Sequence, residues 1–76
     1  MQITEKIRDK ILPHLPKRYA AIIAEQTNVS EMTVYRVLHH EYKNEQVSTA
    51  LIQLAYDAKK QAHERAKQLN KLIDQL

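Results

Sequence analysis

The chain has 76 residues, with 12 basic and 9 acidic side chains and a formal net charge of +3. Apolar residues make up 43% of it, which suits one small core and excludes a disordered tail. The absence of cysteine excludes disulfides and thiolate chemistry, and the absence of glycine excludes phosphate-binding loops of the Walker or dinucleotide type. No apolar run approaches the roughly 20 residues that span a bilayer, and no signal peptide opens the chain, so we expect a cytoplasmic protein.

Ala, Leu, Gln, Glu, Lys and Arg dominate the sequence, which favours helix almost everywhere. Two prolines, Pro13 and Pro16, interrupt the helical pattern once. The apolar spacing predicts a first helix over about residues 4–12, with Thr4 as its N-cap, and a second over 17–27. The second ends at Asn28, because asparagine tolerates a left-handed backbone.

A third helix is predicted from Glu31 to about His39, with Ser30 as its N-cap. Its buried stripe consists of Val34, Val37 and Leu38, at three-to-four spacing. After a polar loop over 40–44, no proline or glycine stops a helix from 45 to 76, which would extend for about 48 Å. Such a helix is longer than a domain of this size is wide, so part of it must project beyond the core.

The second and third predicted helices, joined by Asn28, Val29 and Ser30, have the spacing of a helix-turn-helix. Ala24 is small where the helices would cross, and Val29 supplies an apolar plug inside the turn. The expected fold is therefore all-α: a four-helix helix-turn-helix domain over residues 1–58, with the motif at about 18–39. Residues 59–76 form a long, projecting C-terminal extension of the last helix.

The sequence of the motif resembles the DNA-binding headpiece of lac-repressor-type regulators, in which the run reads V-A-x-x-A-G-V-S-x-x-T-V-S-R-V-L. The match covers residues 23–38, which read I-A-E-Q-T-N-V-S-E-M-T-V-Y-R-V-L. Three positions depart from the pattern: Asn28 replaces the turn glycine, Thr27 a small alanine, and Tyr35 a serine. The sugar-binding domain of that family has no counterpart here, so the resemblance implies binding to double-stranded DNA without a small-molecule effector.

By matching position, the resemblance implies base-reading side chains at Glu31, Met32 and Arg36. The chemistry is coherent, because Arg36 can donate two hydrogen bonds to guanine, Glu31 can accept one from cytosine, and Met32 can pack on a thymine methyl group. Glu31 also has the ordinary alternative role of a carboxylate that complements the helix dipole. The alternative for Arg36 is a solvent-exposed arginine on a surface helix, without a DNA contact.

Phosphate contacts are expected from two groups of residues. The resemblance implies them at Ser30 and Thr33, and Tyr35 on the same predicted helix is a further candidate for a phosphate contact. Lys17, Arg18 and Tyr19 open the preceding helix, where such a motif crosses the DNA backbone; His39 and Lys43 are weaker candidates. Residues 1–18 hold five basic and two acidic side chains, whereas the remaining 58 hold seven of each, so positive charge is concentrated ahead of the motif.

Metal binding and catalysis are not expected. The neighbours His39 and His40 would point about 100° apart on a helix, and His14 and His63 have no ligand partner at helical spacing. Nucleophilic catalysis needs a serine or threonine oriented by a base in a pocket, whereas Ser30 and Thr33 have capping and backbone roles. We therefore predict neither cofactor nor enzymatic activity.

The extension has apolar residues at alternating steps of four and three, which is heptad spacing: Ala62, Ala66, Leu69, Ile73 and Leu76. We expect these residues to mediate homodimerisation, because paired half-sites require paired motifs; a solvated, frayed tail is the alternative. The whole sequence predicts a dimeric DNA-binding transcriptional regulator, such as a repressor, of a bacterium or bacteriophage. The alternative function is that of a protein-interaction module, antitoxin-like or an adaptor, which binds a different chain through its C-terminal helix.

Overall fold

The computed structural model describes residues 3–76, and these residues contain four α-helices and no strand. The helices are α1 (Glu5–Ile11), α2 (Tyr19–Thr27), α3 (Glu31–Leu38) and α4 (Glu45–Asp74), with a short 3-10 turn over Leu12–His14 after α1. This confirms the all-α fold with a long C-terminal helix. None of the described helices combines the length and apolar character that crossing a membrane requires.

The ends of the helices follow local hydrogen bonding. Thr4, Ser30 and Asn44 are the N-caps of α1, α3 and α4, and each side-chain oxygen accepts a hydrogen bond from the backbone N–H three residues later. Asn28 ends α2 with φ 57° and ψ 45°, the predicted left-handed conformation. Each of these three helices therefore begins directly after a side chain that caps its first turn.

The start of α2 lies two residues later than predicted. The Tyr19 N–H donates to the Pro16 carbonyl at 3.1 Å, which closes a turn, and Arg18 has a non-helical backbone with φ −102° and ψ 28°. Lys17 and Arg18 thus belong to this turn instead of the helix. Leu12, the last residue of the predicted first helix, is 44% exposed, because α1 ends at Ile11 and Leu12 opens the 3-10 turn that contains Pro13.

A second left-handed residue, which the sequence analysis did not identify, ends α3. His40 has φ 69°, its N–H donates to the Val37 carbonyl at 3.3 Å, and the Glu41 N–H donates to the Arg36 carbonyl at 2.8 Å. This pair of hydrogen bonds is the Schellman pattern, which is commonly built on glycine. In a chain without glycine, a histidine takes that conformation.

One core holds the four helices together, and every helix contributes to it. The predicted stripe of α3, formed by Val34, Val37 and Leu38, is buried against the first half of α4. The buried apolar side chains are Ile3, Ile11, Ala20, Ile23, Val34, Val37, Leu38, Val47, Leu51 and Ala55. All of them precede residue 59, and every residue from 59 to 76 is exposed. We call residues 3–58 the body and residues 59–76 the extension.

Candidate nucleic-acid interface

The turn between α2 and α3 holds the two helices in a fixed arrangement. The left-handed Asn28 redirects the chain, and the N–H of Val29 donates to the Ala24 carbonyl at 3.1 Å. Val29 itself is partly buried and packs against the core, as does Ala24. Thr27, one of the three departures from the lac-repressor-type pattern, donates its hydroxyl to the Ile23 carbonyl at 2.7 Å, so a polar residue is accommodated where that pattern has alanine.

The start of α3 is fixed by two hydroxyl groups. Ser30 Oγ accepts a hydrogen bond from the Thr33 N–H at 3.2 Å and lies 3.0 Å from Thr33 Oγ1. One hydroxyl hydrogen lies between the two side chains, so the pair retains one hydroxyl hydrogen for an outside acceptor. Ser30 and Thr33 were predicted to contact phosphate; in the free chain their hydroxyls form the cap.

The three predicted base-reading side chains are exposed on α3. The side chains of Glu31 and Arg36 are exposed, and Met32 is 60% exposed. Met32 and Arg36 are one helical turn apart and therefore share a face, with Glu31 beside them. Because so much of the Met32 side chain is exposed, it forms no part of the core, and its thioether is open to an apolar contact with another molecule.

An aromatic pair connects the start of α2 with α3. The rings of Tyr19 and Tyr35 meet edge to face, with centroids 5.9 Å apart and an interplanar angle of 81°. Burial raises the pKa of the Tyr19 phenol above its ordinary value, and the neighbouring Tyr35 adds to the rise. The pair sets the turn that carries Lys17 and Arg18, both exposed, beside the helix that carries the predicted base-reading residues.

The end of α3 is tied to α1 by an interaction that the sequence analysis missed. An Arg8 guanidinium nitrogen lies 3.5 Å from His39 Nδ1, which must accept because arginine only donates. Arg8 also lies 3.8 Å from a carboxylate oxygen of Glu5 and 3.8 Å from one of Asp9. His39, a weaker candidate for phosphate contact, thus has a partner within the chain. Local periodicity carries no signal for a contact between residues 31 positions apart.

The predicted dimerisation residues are all exposed along the extension: Ala62, Ala66, Leu69, Ile73 and Leu76. Leu69 is 54% and Ile73 61% exposed. Leu72, which the heptad assignment omitted, is 60% exposed and widens the apolar stripe. With Leu72 included, the apolar stripe is wider than the two positions per heptad of a coiled-coil seam.

Within residues 3–76, no group of three or more His, Asp or Glu side chains is arranged to hold a metal ion. Comparison of the chain with protein-family models, with curated proteins and with solved structures finds no match.

Proposed function

We propose that this protein is a sequence-specific double-stranded DNA-binding regulator that acts as a homodimer through the helix-turn-helix formed by α2 and α3. One observation carries the proposal. Buried Val34, Val37 and Leu38 anchor α3 on the core, while Met32 and Arg36 extend from its opposite side into solvent. A short helix held in this way can enter a major groove with its exposed side chains toward the base edges.

The chemistry of α3 assigns a role to each exposed side chain. Arg36 donates two hydrogen bonds to guanine, Met32 packs on a thymine methyl group, and Glu31 accepts from cytosine. Lys17, Arg18 and Tyr19, with Tyr35 across the aromatic contact, bind phosphate groups beside the groove. The edge-to-face tyrosine pair supports this division of roles, because it fixes the start of α2 relative to α3.

The extension supplies the second half of the proposal. Ala62, Ala66, Leu69, Ile73 and Leu76 would pair two chains, so that two copies of α3 reach two half-sites of a roughly palindromic sequence. The protein would act in the cytoplasm of a bacterium, as a host or bacteriophage regulator. It would act by occupancy, as a repressor that blocks another protein, and without a small-molecule effector.

Selection of bound sequences from random duplex DNA tests the proposal, followed by titration of the selected duplex. Arg36→Ala should lose about 1–3 kcal/mol of discrimination at one base position. Arg65→Ala removes the same charge from the exposed extension and should leave that discrimination unchanged. Lys17→Ala or Arg18→Ala should weaken binding to all duplexes alike and lower the salt slope by about one. If the wild type shows no salt-dependent duplex binding at low micromolar concentration, the proposal is wrong.

The exposure of Leu69, Leu72 and Ile73 also favours a second candidate, a protein-interaction module whose extension binds a different chain. The two candidates differ in which surface carries the activity. Loss of function on Arg36→Ala with an intact extension supports the DNA-binding regulator. Loss of function on substitution in the extension alone, with Arg36→Ala silent, supports the interaction module.

A further inference from the structure

Several apolar positions recur in the two halves of α4. Eighteen residues make about five turns of an α-helix, so residues separated by this interval point in the same direction. Leu51 and Ala55, both buried in the core, correspond in this way to Leu69 and Ile73. Pairs at the same interval are Ser48 and Ala66, Leu54 and Leu72, and Ala58 and Leu76. The exposed stripe of the extension is therefore the straight continuation of the face that α4 turns toward the core.

Because the two faces are continuous, the apolar stripe of the extension lies on the same side of α4 as the body. In the first half of α4 the core-facing side is covered by α1, α2, α3 and the 3-10 turn, all of which contact α4. Beyond residue 58 the same side is bare, and the helix overhangs the body. At about 1.5 Å per residue, the overhanging helix from 59 to 74 is about 24 Å long. The space under the overhang is bounded at one end by the chain's own body.

We propose that the extensions of two copies pair antiparallel, each lying under the overhang of the other, with the two bodies at opposite ends of the dimer. The inference rests on the homodimer of the proposed function and specifies its geometry. In this arrangement the end of each extension approaches the body of the partner. The two recognition helices then lie far apart, on separate bodies.

A parallel pair is excluded by the position of the body. If two extensions ran side by side in the same direction with their apolar stripes in contact, their first halves would continue side by side toward residue 45. The core-facing side of each first half is already occupied by its own body, so both bodies would fall between the two helices. Close packing forbids two bodies in one volume.

The order of side chains along the stripe also favours the antiparallel pair. Small residues, Ala62 and Ala66, come first, and the larger Leu69 and Ile73 follow. Antiparallel pairing sets Ala62 opposite Ile73 and Ala66 opposite Leu69, so that both of these layers combine a small residue with a large one. Parallel pairing would set alanine opposite alanine and large opposite large. Interdigitation of small and large side chains gives the more uniform packing.

Spin labels on single cysteines measure the orientation directly, because the chain contains no native cysteine. Gln61, Gln68 and Gln75 are spaced seven residues apart, are exposed, and lie away from the apolar stripe. Each is replaced by cysteine in the full-length chain, and the distance between the two labels of the dimer is measured by pulsed electron paramagnetic resonance. Binding of each variant to the selected duplex is titrated on the same samples.

In an antiparallel pair, the two labels at Gln68→Cys lie at the same level along the dimer axis, whereas those at Gln61→Cys or Gln75→Cys are displaced along the axis by about 20 Å. We expect the shortest distance at position 68, longer ones at 61 and 75, and a short distance in a mixture of Gln61→Cys with Gln75→Cys. The double substitution of Leu69→Asp and Ile73→Asp in the Gln68→Cys chain should abolish the interchain distance.

Equal distances at all three positions would indicate a parallel pair and overturn the inference, while leaving the dimer and its DNA binding in place. A distance at position 68 that persists after the double substitution would also overturn it, because the contact would lie elsewhere. A chain that binds duplex DNA but shows no interchain distance would overturn both the inference and the dimer. Loss of DNA binding with the expected distances intact would contradict the DNA-binding proposal alone.

Discussion

Residues 45–58 and 59–74 belong to one uninterrupted helix and share several apolar positions, yet their surroundings are opposite. Leu51 is completely buried, while Leu69, on the same side of the helix, is 54% exposed. The first half is covered because α1, α2 and α3 fold back onto it, whereas no part of residues 3–58 folds onto the second half. Apolar periodicity therefore defines which side of a helix seeks burial, whereas the rest of the chain decides how much of that side is covered.

The largest expected effect separates these two halves by a matched pair of substitutions. Leu51→Ala leaves a cavity in a closed core and should cost ~3–5 kcal/mol of unfolding free energy, much of the stability of a domain this small. Leu69→Ala should change it by less than about 0.5 kcal/mol when the chain is dilute. Urea denaturation at low protein concentration measures both. Equal losses would mean that the extension is buried in the isolated chain.

The next effect concerns the extension as a contact between chains. Combining Leu69→Asp with Ile73→Asp places charges that must be desolvated if the apolar stripe is paired. We expect a monomer by sedimentation with its helical content retained, and about a hundredfold weaker binding to a two-half-site duplex, because linked contacts become independent. Replacement of two outward residues, Gln68→Asp and Gln75→Asp, introduces the same charge and should leave the dimer intact. If the chain remains a dimer after Leu69→Asp and Ile73→Asp are combined, the interface lies on the body.

Within the body, substitutions at the left-handed residues Asn28 and His40 test whether local backbone conformation fixes the helix ends. Asn28→Gly should be neutral or stabilising, since glycine adopts φ 57° without a side-chain clash, and His40→Gly should behave alike at φ 69°. Asn28→Val should cost ~1–2 kcal/mol, because a branched side chain crowds the left-handed conformation. Thermal denaturation compares the three with the wild type. Equal melting temperatures for Asn28→Gly and Asn28→Val would show that the turn tolerates any residue.

The smallest effect concerns the Tyr19 phenol at the start of α2. Because its pKa is raised in the folded chain by burial and by Tyr35, the neutral form is favoured by folding. Its contribution to stability is complete below the ordinary pKa of about 10 and is lost as the pH rises through the folded pKa. Tyr19→Phe should therefore lose less stability than the wild type above about pH 10. Tyr56→Phe, on a tyrosine that is 61% exposed, is the control, and matching curves for all three would contradict the assignment.

Local chemistry made most of the helix boundaries predictable from the sequence. Thr4 and Ser30 cap helices because a side-chain oxygen reaches a backbone N–H three residues on, and Asn28 ends one because its side chain tolerates a positive φ. One helix start was predicted wrongly and one left-handed residue was not foreseen, because in each case another local interaction competed with the rule. Pro16 accepts a turn hydrogen bond that delays α2 to Tyr19, and His40 adopts a left-handed conformation that is more often taken by glycine.

The sequence by itself determined the helical fold, the capped turn of the motif and the apolar side of every helix, because these depend on neighbours within about four positions. Only the tertiary structure decided that Tyr19 meets Tyr35, that Arg8 reaches His39, and that Leu51 is covered while Leu69 is bare. These relations join residues distant along the chain, or depend on where the folded body ends. Apolar periodicity cannot predict such relations, because it indicates the direction in which a side chain points and not what lies opposite that side chain.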